Sequence, residues 1–503
     1  MNQLKAGAAL SYFTIAINLI LVIVYTPFLL NSLGQTEYGI YALASSFIAY
    51  FTLLDFGFSD AVIRYTSQYI AEDKKDEQYK LFGMFFRLYA IVGIVALLFG
   101  SILYMNVDNL FGNSMTAMEL DKVRVVVIII TISLALTFSL SIFNSIITAY
   151  QRFIFQKIIL LFRIVTGPAI IVILLLLGCK SVELVLFIAI LNLLILVVRT
   201  IYCIKKLKVK LLFAPTNYTL LKEVIIFSFW IFLNMIMDLI YWNGGQFLLG
   251  IYSGTKAIAI YALAIQFKNM FFMFSTAISS VFFPKITTMI TQGANKKDIS
   301  NIFIKIGRIQ FSILILILSG FVVFGQQFIG FWAGAEYSNT YYIVLLIMVP
   351  SIILLSQNIG ILIIQAMKLM KFASLVYTIV SIVSLCFAVQ LIKHYGAIGC
   401  AISTSAGIFL SHGIIMNIYY KHKIKIDISR FWKEIFKLSI LPICFSAVGV
   451  LALNYITVTT IVELLVYIVL YLVLYLPIYY FLSLNSYERD LIKSAFYKIL
   501  RRE

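Results

Sequence analysis

Charge is what this 503-residue chain has least of. Only 12% of its residues are Asp, Glu, Lys or Arg, while 62% are hydrophobic. A soluble domain carries about 25% charged residues because its surface faces water. This chain lacks the polar surface to cover a globule, so lipid must be its outer solvent. Negative charge is scarcer still, with 21 acidic residues against 39 basic ones. Cysteine is sparse, and Cys179, Cys203, Cys386, Cys400 and Cys444 form no CxxC pair or Cys/His cluster. Neither a disulfide framework nor a metal site is suggested. A DxD motif, a GxxxxGK[ST] loop and a Ser/His/Asp set at recognisable spacing are all missing. No catalytic residue is therefore assigned, and the chain is not read as an enzyme. The longest loop on its outer side, roughly Asn106–Lys122, is too short for a catalytic domain.

What the chain does have is long apolar runs. Val125–Ala149, Phe155–Leu177 and Ile461–Leu482 are unbroken over lengths that span a ~30 Å hydrocarbon core as helix. Barrel strands would instead alternate apolar and polar residues over about 10 positions. The first half reads as spans near Ala6–Leu30, Tyr38–Phe58, Leu81–Val107, Val125–Ala149, Phe155–Leu177 and Val182–Ile204. The second half adds Val224–Leu249, Ala257–Phe283, Ile309–Phe331, Tyr341–Met367, Phe372–Ile392 and Ala397–Tyr420. Leu438–Tyr455 and Ile461–Leu482 complete an all-α polytopic membrane protein of about 14 transmembrane helices. Ala6–Leu30 is too long for a cleaved signal sequence and reads as a retained first span.

The loops test this count. Of the 39 Lys and Arg residues, 33 fall on one side, five on the other (Lys122, Arg124, Lys180, Lys256, Lys393), and Lys268 lies inside a span. Basic residues accumulate in cytoplasmic loops, which places both termini in the cytoplasm. The net charge of +18 is thus topogenic and suits anionic headgroups; no nucleic-acid role is expected.

The two halves resemble each other. Ile40-Tyr41-Ala42-Leu43-Ala44 recurs as Ile260-Tyr261-Ala262-Leu263-Ala264, and Gly34 meets Gly254, both 220 residues apart. Lys74-Lys75-Asp76 meets Lys296-Lys297-Asp298, and Arg87 meets Arg308, in nearly the same register. Because six spans separate the copies, the pseudo-twofold axis runs along the membrane normal. The expected architecture is a six-helix bundle over 1–217 and a second over 218–421, around a central vestibule. An extra helix pair and basic tail follow over 422–503. Pro27 and the paired Gly244 and Gly245 fall at similar levels of spans one and seven, as moving hinges or as static packing.

Ionisable residues inside spans are costly and are functional by default. Asp238 and Lys268 lie equally far from a turn expected near Ser253, which allows a structural ion pair or a pair lining the central cavity. Arg64, Arg87, Arg163 and Arg308 sit near the inner surface, with Asp55 and Asp60 close to Arg64. They read either as topogenic anchors or as a cationic mouth for a phosphate-bearing substrate, guanidinium being suited to bidentate phosphate contact. His412, inside span twelve, is either packed or a proton-coupling group.

Leu33-Gly34-Gln35-Thr36-Glu37-Tyr38-Gly39-Ile40-Tyr41, followed by Leu53-Leu54-Asp55-Phe56-Gly57-Phe58 and Arg64-Tyr65, resembles the N-terminal signature of bacterial polysaccharide flippases of the Wzx type. These belong to the multidrug/oligosaccharidyl-lipid/polysaccharide exporter superfamily. The resemblance implies flipping of an undecaprenyl-pyrophosphate-linked oligosaccharide to the outer leaflet by alternating access, for O-antigen, capsule or other surface polysaccharide. It implies a place in the bacterial cytoplasmic (inner) membrane. The partners implied are the lipid-linked substrate, membrane lipids and other membrane proteins of polysaccharide assembly. Lys268 and Arg64 would be carriers of the vestibule's positive charge. No cofactor is implied, and coupling to a proton or sodium ion stays open. The first-span arginines of peptidoglycan-precursor flippases are absent, since Ala6–Leu30 contains no Arg. The alternative is a cation-coupled exporter of small amphiphiles, a class that generally has twelve spans.

Overall fold

The computed structural model of the chain describes residues 3–215, 218–367 and 369–501. For residues 3–16 and for scattered helical positions, including Trp230, Asn234, Asp238 and Lys285, it describes the backbone alone. Described residues form helices and turns without a strand. The helices are α1 (Gln3–Thr52), α2 (Phe58–Ala71), α3 (Lys75–Met105), α4 (Val107–Phe111), α5 (Ala117–Ala149), α6 (Phe153–Leu176) and α7 (Ser181–Lys205). After residues 206–217 come α8 (Tyr218–Tyr252), α9 (Gly254–Thr291), α10 (Lys296–Trp332), α11 (Thr340–Ser356), α12 (Asn358–Ala366) and α13 (Met370–Ile408). The last are α14 (Met416–Tyr419), α15 (Ile428–Leu453), α16 (Ile461–Leu482) and α17 (Ser486–Arg501).

Each of the fourteen expected spans is helical over most of its length. Length and apolarity alone single out nine membrane-crossing helices among the described residues, or eleven if two bent pairs each count as one. Part of the gap has a plain cause. α1 and α13 each run through a single non-helical residue, Gly34 and Gly396, and so each holds two of the expected spans.

Two pairs of turns keep the 220-residue register. Gly34 takes φ 72° and Gly254 takes φ 77°, a left-handed conformation that glycine adopts without a Cβ clash. These residues are 220 apart and end spans one and seven. On the opposite side, Asp73 and Gly293, also 220 apart, have φ 52° and 75°. The hairpin expected near Ser253 turns there, between α8 and α9.

The chain forms two compact units, Met1–Ala262 with Ile392–Ala397, and Leu263–Leu391 with Ile398–Glu503. In the first, α5 packs between α3 and α7, and α1 lies along α6. Small residues set the spacing: a Cβ at Gly100 would stand 2.1 Å from Thr131 Oγ1, and one at Gly93 would stand 2.8 Å from the Ala135 carbonyl. In the second, α10 packs on α11, α15 and α16. There Tyr471, Tyr475 and Tyr479 stack along one face of α16 at centroid separations of 5.7 and 5.2 Å. The Tyr479 hydroxyl reaches Ser312 Oγ on α10 at 3.1 Å.

The residues read as moving hinges or as static packing are helical. Pro27, Gly244 and Gly245 all lie within helix, and the breaks fall elsewhere. A proline removes one intrahelical bond, which a membrane helix tolerates when its surroundings re-satisfy the freed groups. The sharp changes of direction are 43° between α1 and α2 and 41° between α11 and α12.

Candidate functional site

The 43° bend is where the Leu53–Phe58 signature sits, and its residues explain it. Leu53–Asp55 tighten into a 3₁₀ turn, after which Phe56 and Gly57 take φ 51° and 75° in succession. Two left-handed residues in a row end one helix and re-aim the next. Gly57 also has no room for a side chain, since a Cβ would lie 2.8 Å from Ile231 Cβ on α8. Asp55 then serves the new helix. It accepts from the Ser59 amide at 3.3 Å, the Ser59 hydroxyl at 3.0 Å and the Tyr89 hydroxyl at 2.8 Å. Phe56 packs on Phe232 at 4.9 Å, and the exposed Arg64 guanidinium stacks 4.5 Å from the Phe227 ring.

The remaining expected residues fall into separate places. Arg87, on α3, donates to the Ala214 carbonyl at 2.6 Å and holds the connection between α7 and α8. Its repeat counterpart Arg308 is 5% exposed on α10. It forms a fork with Glu488 at 2.7 and 2.8 Å and reaches Glu434 at 2.6 Å. Its charge is thus matched within the fold. Lys268, 5% exposed and about 21 Å along α9, has its Nζ 5.2 Å from the Phe272 ring. The side chain of Asp238 lies outside the described residues, and with it the expected pair. Arg163 lines a cavity together with Arg199. His412 is stacked on Tyr377 at 4.5 Å, in a π-helical segment whose freed carbonyls at His412 and Gly413 accept from Asn417 Nδ2 at 2.8 Å. This is the packed alternative in geometry.

At the opposite ends of the first unit's helices lies a polar lattice that the sequence did not reveal. Glu37 accepts from the Lys122 ammonium, from Ser181 Oγ at 2.5 Å and from the Ser181 amide at 3.2 Å, tying α1 to α5 and α7. Thr255 Oγ1 donates to Glu119 at 2.6 Å, while Ser114 Oγ donates to the Gly250 carbonyl at 2.6 Å. Burial of Glu37 disfavours its charged form, but these donors outweigh it and hold the carboxyl below the usual range. A depressed carboxyl contributes stability above its unfolded value of about 4.3, and loses it as pH falls through the folded value. Glu37→Gln is therefore expected to lower the melting temperature at neutral pH by the equivalent of about 1.5–3 kcal/mol. It should also flatten the acid side of the melting-temperature profile below about pH 5. Parallel profiles for the two proteins in detergent would show that the lattice does not hold these helix ends.

No group of three or more His, Cys, Asp or Glu side chains placed to hold a metal ion occurs among the described residues. What the arrangement offers is a set of helices with few, separately held charges. The family model described as "Polysaccharide biosynthesis protein" matches residues 4–290, more than half of the chain. The chain belongs to this polysaccharide biosynthesis family. Its fold is similar to that of a structure described as lipid II flippase MurJ in an inward closed conformation. That match has a TM-score of 0.72 and 18% identity, over 97% of this chain and 99% of that one. It is also similar to the eukaryotic MATE transporter AtDTX14 (TM-score 0.53, 15% identity, 86% of this chain and 100% of that one). A point mutant of the Vibrio cholerae MATE transporter VcmN matches at TM-score 0.52 and 14% identity, over 85% of this chain and 100% of that one. No curated protein matches the chain. The family member is thus a multi-pass membrane protein whose fold is similar to those of the flippase and transporter structures.

Proposed function

We propose that this family member is a flippase that moves an undecaprenyl-pyrophosphate-linked oligosaccharide from the cytoplasmic to the outer leaflet of the bacterial inner membrane. The observation that carries the reading is the family match over residues 4–290, whose family is one of polysaccharide biosynthesis. Coverage of the solved structures supports a lipid-linked cargo over a small amphiphile. The two MATE structures account for 85–86% of this chain and the flippase structure for 97%. The remainder left by the exporters is about the size of the α15–α17 segment. Ala6–Leu30 carries no Arg, which separates this chain from the first-span arginines of peptidoglycan-precursor flippases and favours a different glycan.

Mechanistically, the pyrophosphate is met by basic side chains that include Lys268 and Arg64, the sugars cross in a water-filled path, and the prenyl tail stays in lipid. The termini are cytoplasmic. An inside-negative potential drives an anionic headgroup outward by ~2.3 kcal/mol per charge per 100 mV. Deleting the gene in a strain without a redundant flippase is expected to abolish the surface polysaccharide and to leave lipid-linked repeat units in the cytoplasmic leaflet. Dye or drug sensitivity with normal surface glycan would favour the amphiphile exporter instead.

A further inference from the structure

The first unit contains a partly open cavity of about 240 Å³ lined by α1, α5, α6 and α7. Two guanidinium groups line it, that of the exposed Arg163 from α6 and that of the half-buried Arg199 from α7, together with Thr52, Ser133, Thr137 and Asn192. Its lining holds no Asp or Glu. Neither arginine forms an ion pair among the described residues, and Arg199 Nε is buried without a hydrogen-bond partner. Arg199 lies six residues before the last residue of α7, Lys205, so the cavity sits toward the Lys/Arg-rich ends of the helices.

Two like charges brought to one partly desolvated cavity with no counter-charge are costly, and every donor satisfied by an anion removes part of that cost. Guanidinium matches the oxygens of a phosphate with paired, charge-assisted hydrogen bonds. Hydroxyl and carboxamide groups such as those of Thr52, Thr137 and Asn192 are suited to the remaining oxygens. The volume lies below the ~300–1,000 Å³ typical of drug-sized ligands and suits a phosphate or diphosphate group. We infer that this cavity is an anion site inside the first unit, built by Arg163 and Arg199 to hold a phosphate group, either of a lipid headgroup or free in solution. This inference does not rest on the proposed cargo.

The test uses the purified full chain in nanodiscs of phosphatidylcholine, melted against rising inorganic phosphate or pyrophosphate at constant ionic strength. A second arm uses nanodiscs containing phosphatidylglycerol. A specific site raises the melting temperature with ligand concentration. Response to the free anions in phosphatidylcholine assigns the site to a soluble phosphate; response only to phosphatidylglycerol assigns it to a headgroup. Arg199→Gln and Arg163→Gln are each expected to weaken the response about 10- to 100-fold. Arg199→Lys keeps the charge but loses the fork, and should weaken it about 10-fold without altering the fold. In the ligand-free protein Arg199→Gln should not lower the melting temperature, because it relieves an unpaired charge. A wild type indifferent to both sources, or an Arg199→Lys variant and an Arg163→Gln/Arg199→Gln variant that respond like the wild type, would overturn the site. The proposed cargo would be untouched by that failure.

Discussion

Arg308→Ala is expected to destabilise the second unit by about 3–5 kcal/mol, because it leaves carboxylates buried without their cation. Arg308 and Glu488 are each 5% exposed, while the Glu434 side chain is 30% exposed. The guanidinium fork on Glu488 fastens α17 to α10, and the contact to Glu434 adds α15. Glu488 also belongs to the start of α17, where its carboxylate accepts from the Asn485 amide at 2.9 Å and its own amide donates to Asn485 Oδ1 at 2.9 Å. Removing Arg308 therefore strands an acid that cannot turn away without undoing the helix start. The expected result is a large drop in melting temperature together with protease cleavage around residues 483–490. Arg308→Lys should fall between, since an ammonium cannot form the fork. Glu434→Gln should cost least, its carboxylate being partly solvated. A combined Arg308→Met/Glu488→Leu replacement should recover much of the loss, because an apolar cluster avoids the desolvation of both charges. An Arg308→Ala protein that melts with the wild type would show the triad to be incidental.

Lys268→Ala is expected to abolish complementation of surface polysaccharide while leaving expression and melting nearly unchanged. A cation almost fully buried halfway along a membrane helix is expensive to keep, and such residues mark transport pathways. If the ammonium meets the pyrophosphate during transport, its loss removes a charge-assisted contact made to substrate. Lys268→Arg retains the charge and should keep partial activity. Full complementation by Lys268→Ala would remove this lysine from the pathway, and a collapse of expression would assign it to structure.

The sequence revealed most where periodicity and repetition act. The pairing of Gly34 with Gly254, the Ser253 hairpin and the two C-terminal spans were all legible, since apolar length and a 220-residue register mark them. Long-range polar partners were not. Nothing in the spacing joins Arg308 to Glu434 and Glu488, which lie 126 and 180 residues away. Arg199 sat among helix-end cations and gave no separate signal, although its placement within the last two turns of an apolar helix was a clue. In the Leu53–Phe58 signature Gly57 hinted at a turn, but the left-handed Phe56 before it had no marker, because such a conformation is imposed by packing rather than preferred by phenylalanine. Pro27, legible as a helix breaker that acts as a moving hinge or as static packing, lies within helix.

The most direct test of the flippase reading is transbilayer movement in proteoliposomes. The full chain is reconstituted with an undecaprenyl-pyrophosphate-linked oligosaccharide on the outer face, and the fraction shielded from an added glycan-modifying enzyme is followed over time. A flippase of this cargo moves the lipid to the protected leaflet faster than protein-free vesicles do, and Lys268→Ala returns the rate to that background. Movement no faster than in protein-free vesicles, in a preparation that melts as folded protein, would contradict the assignment.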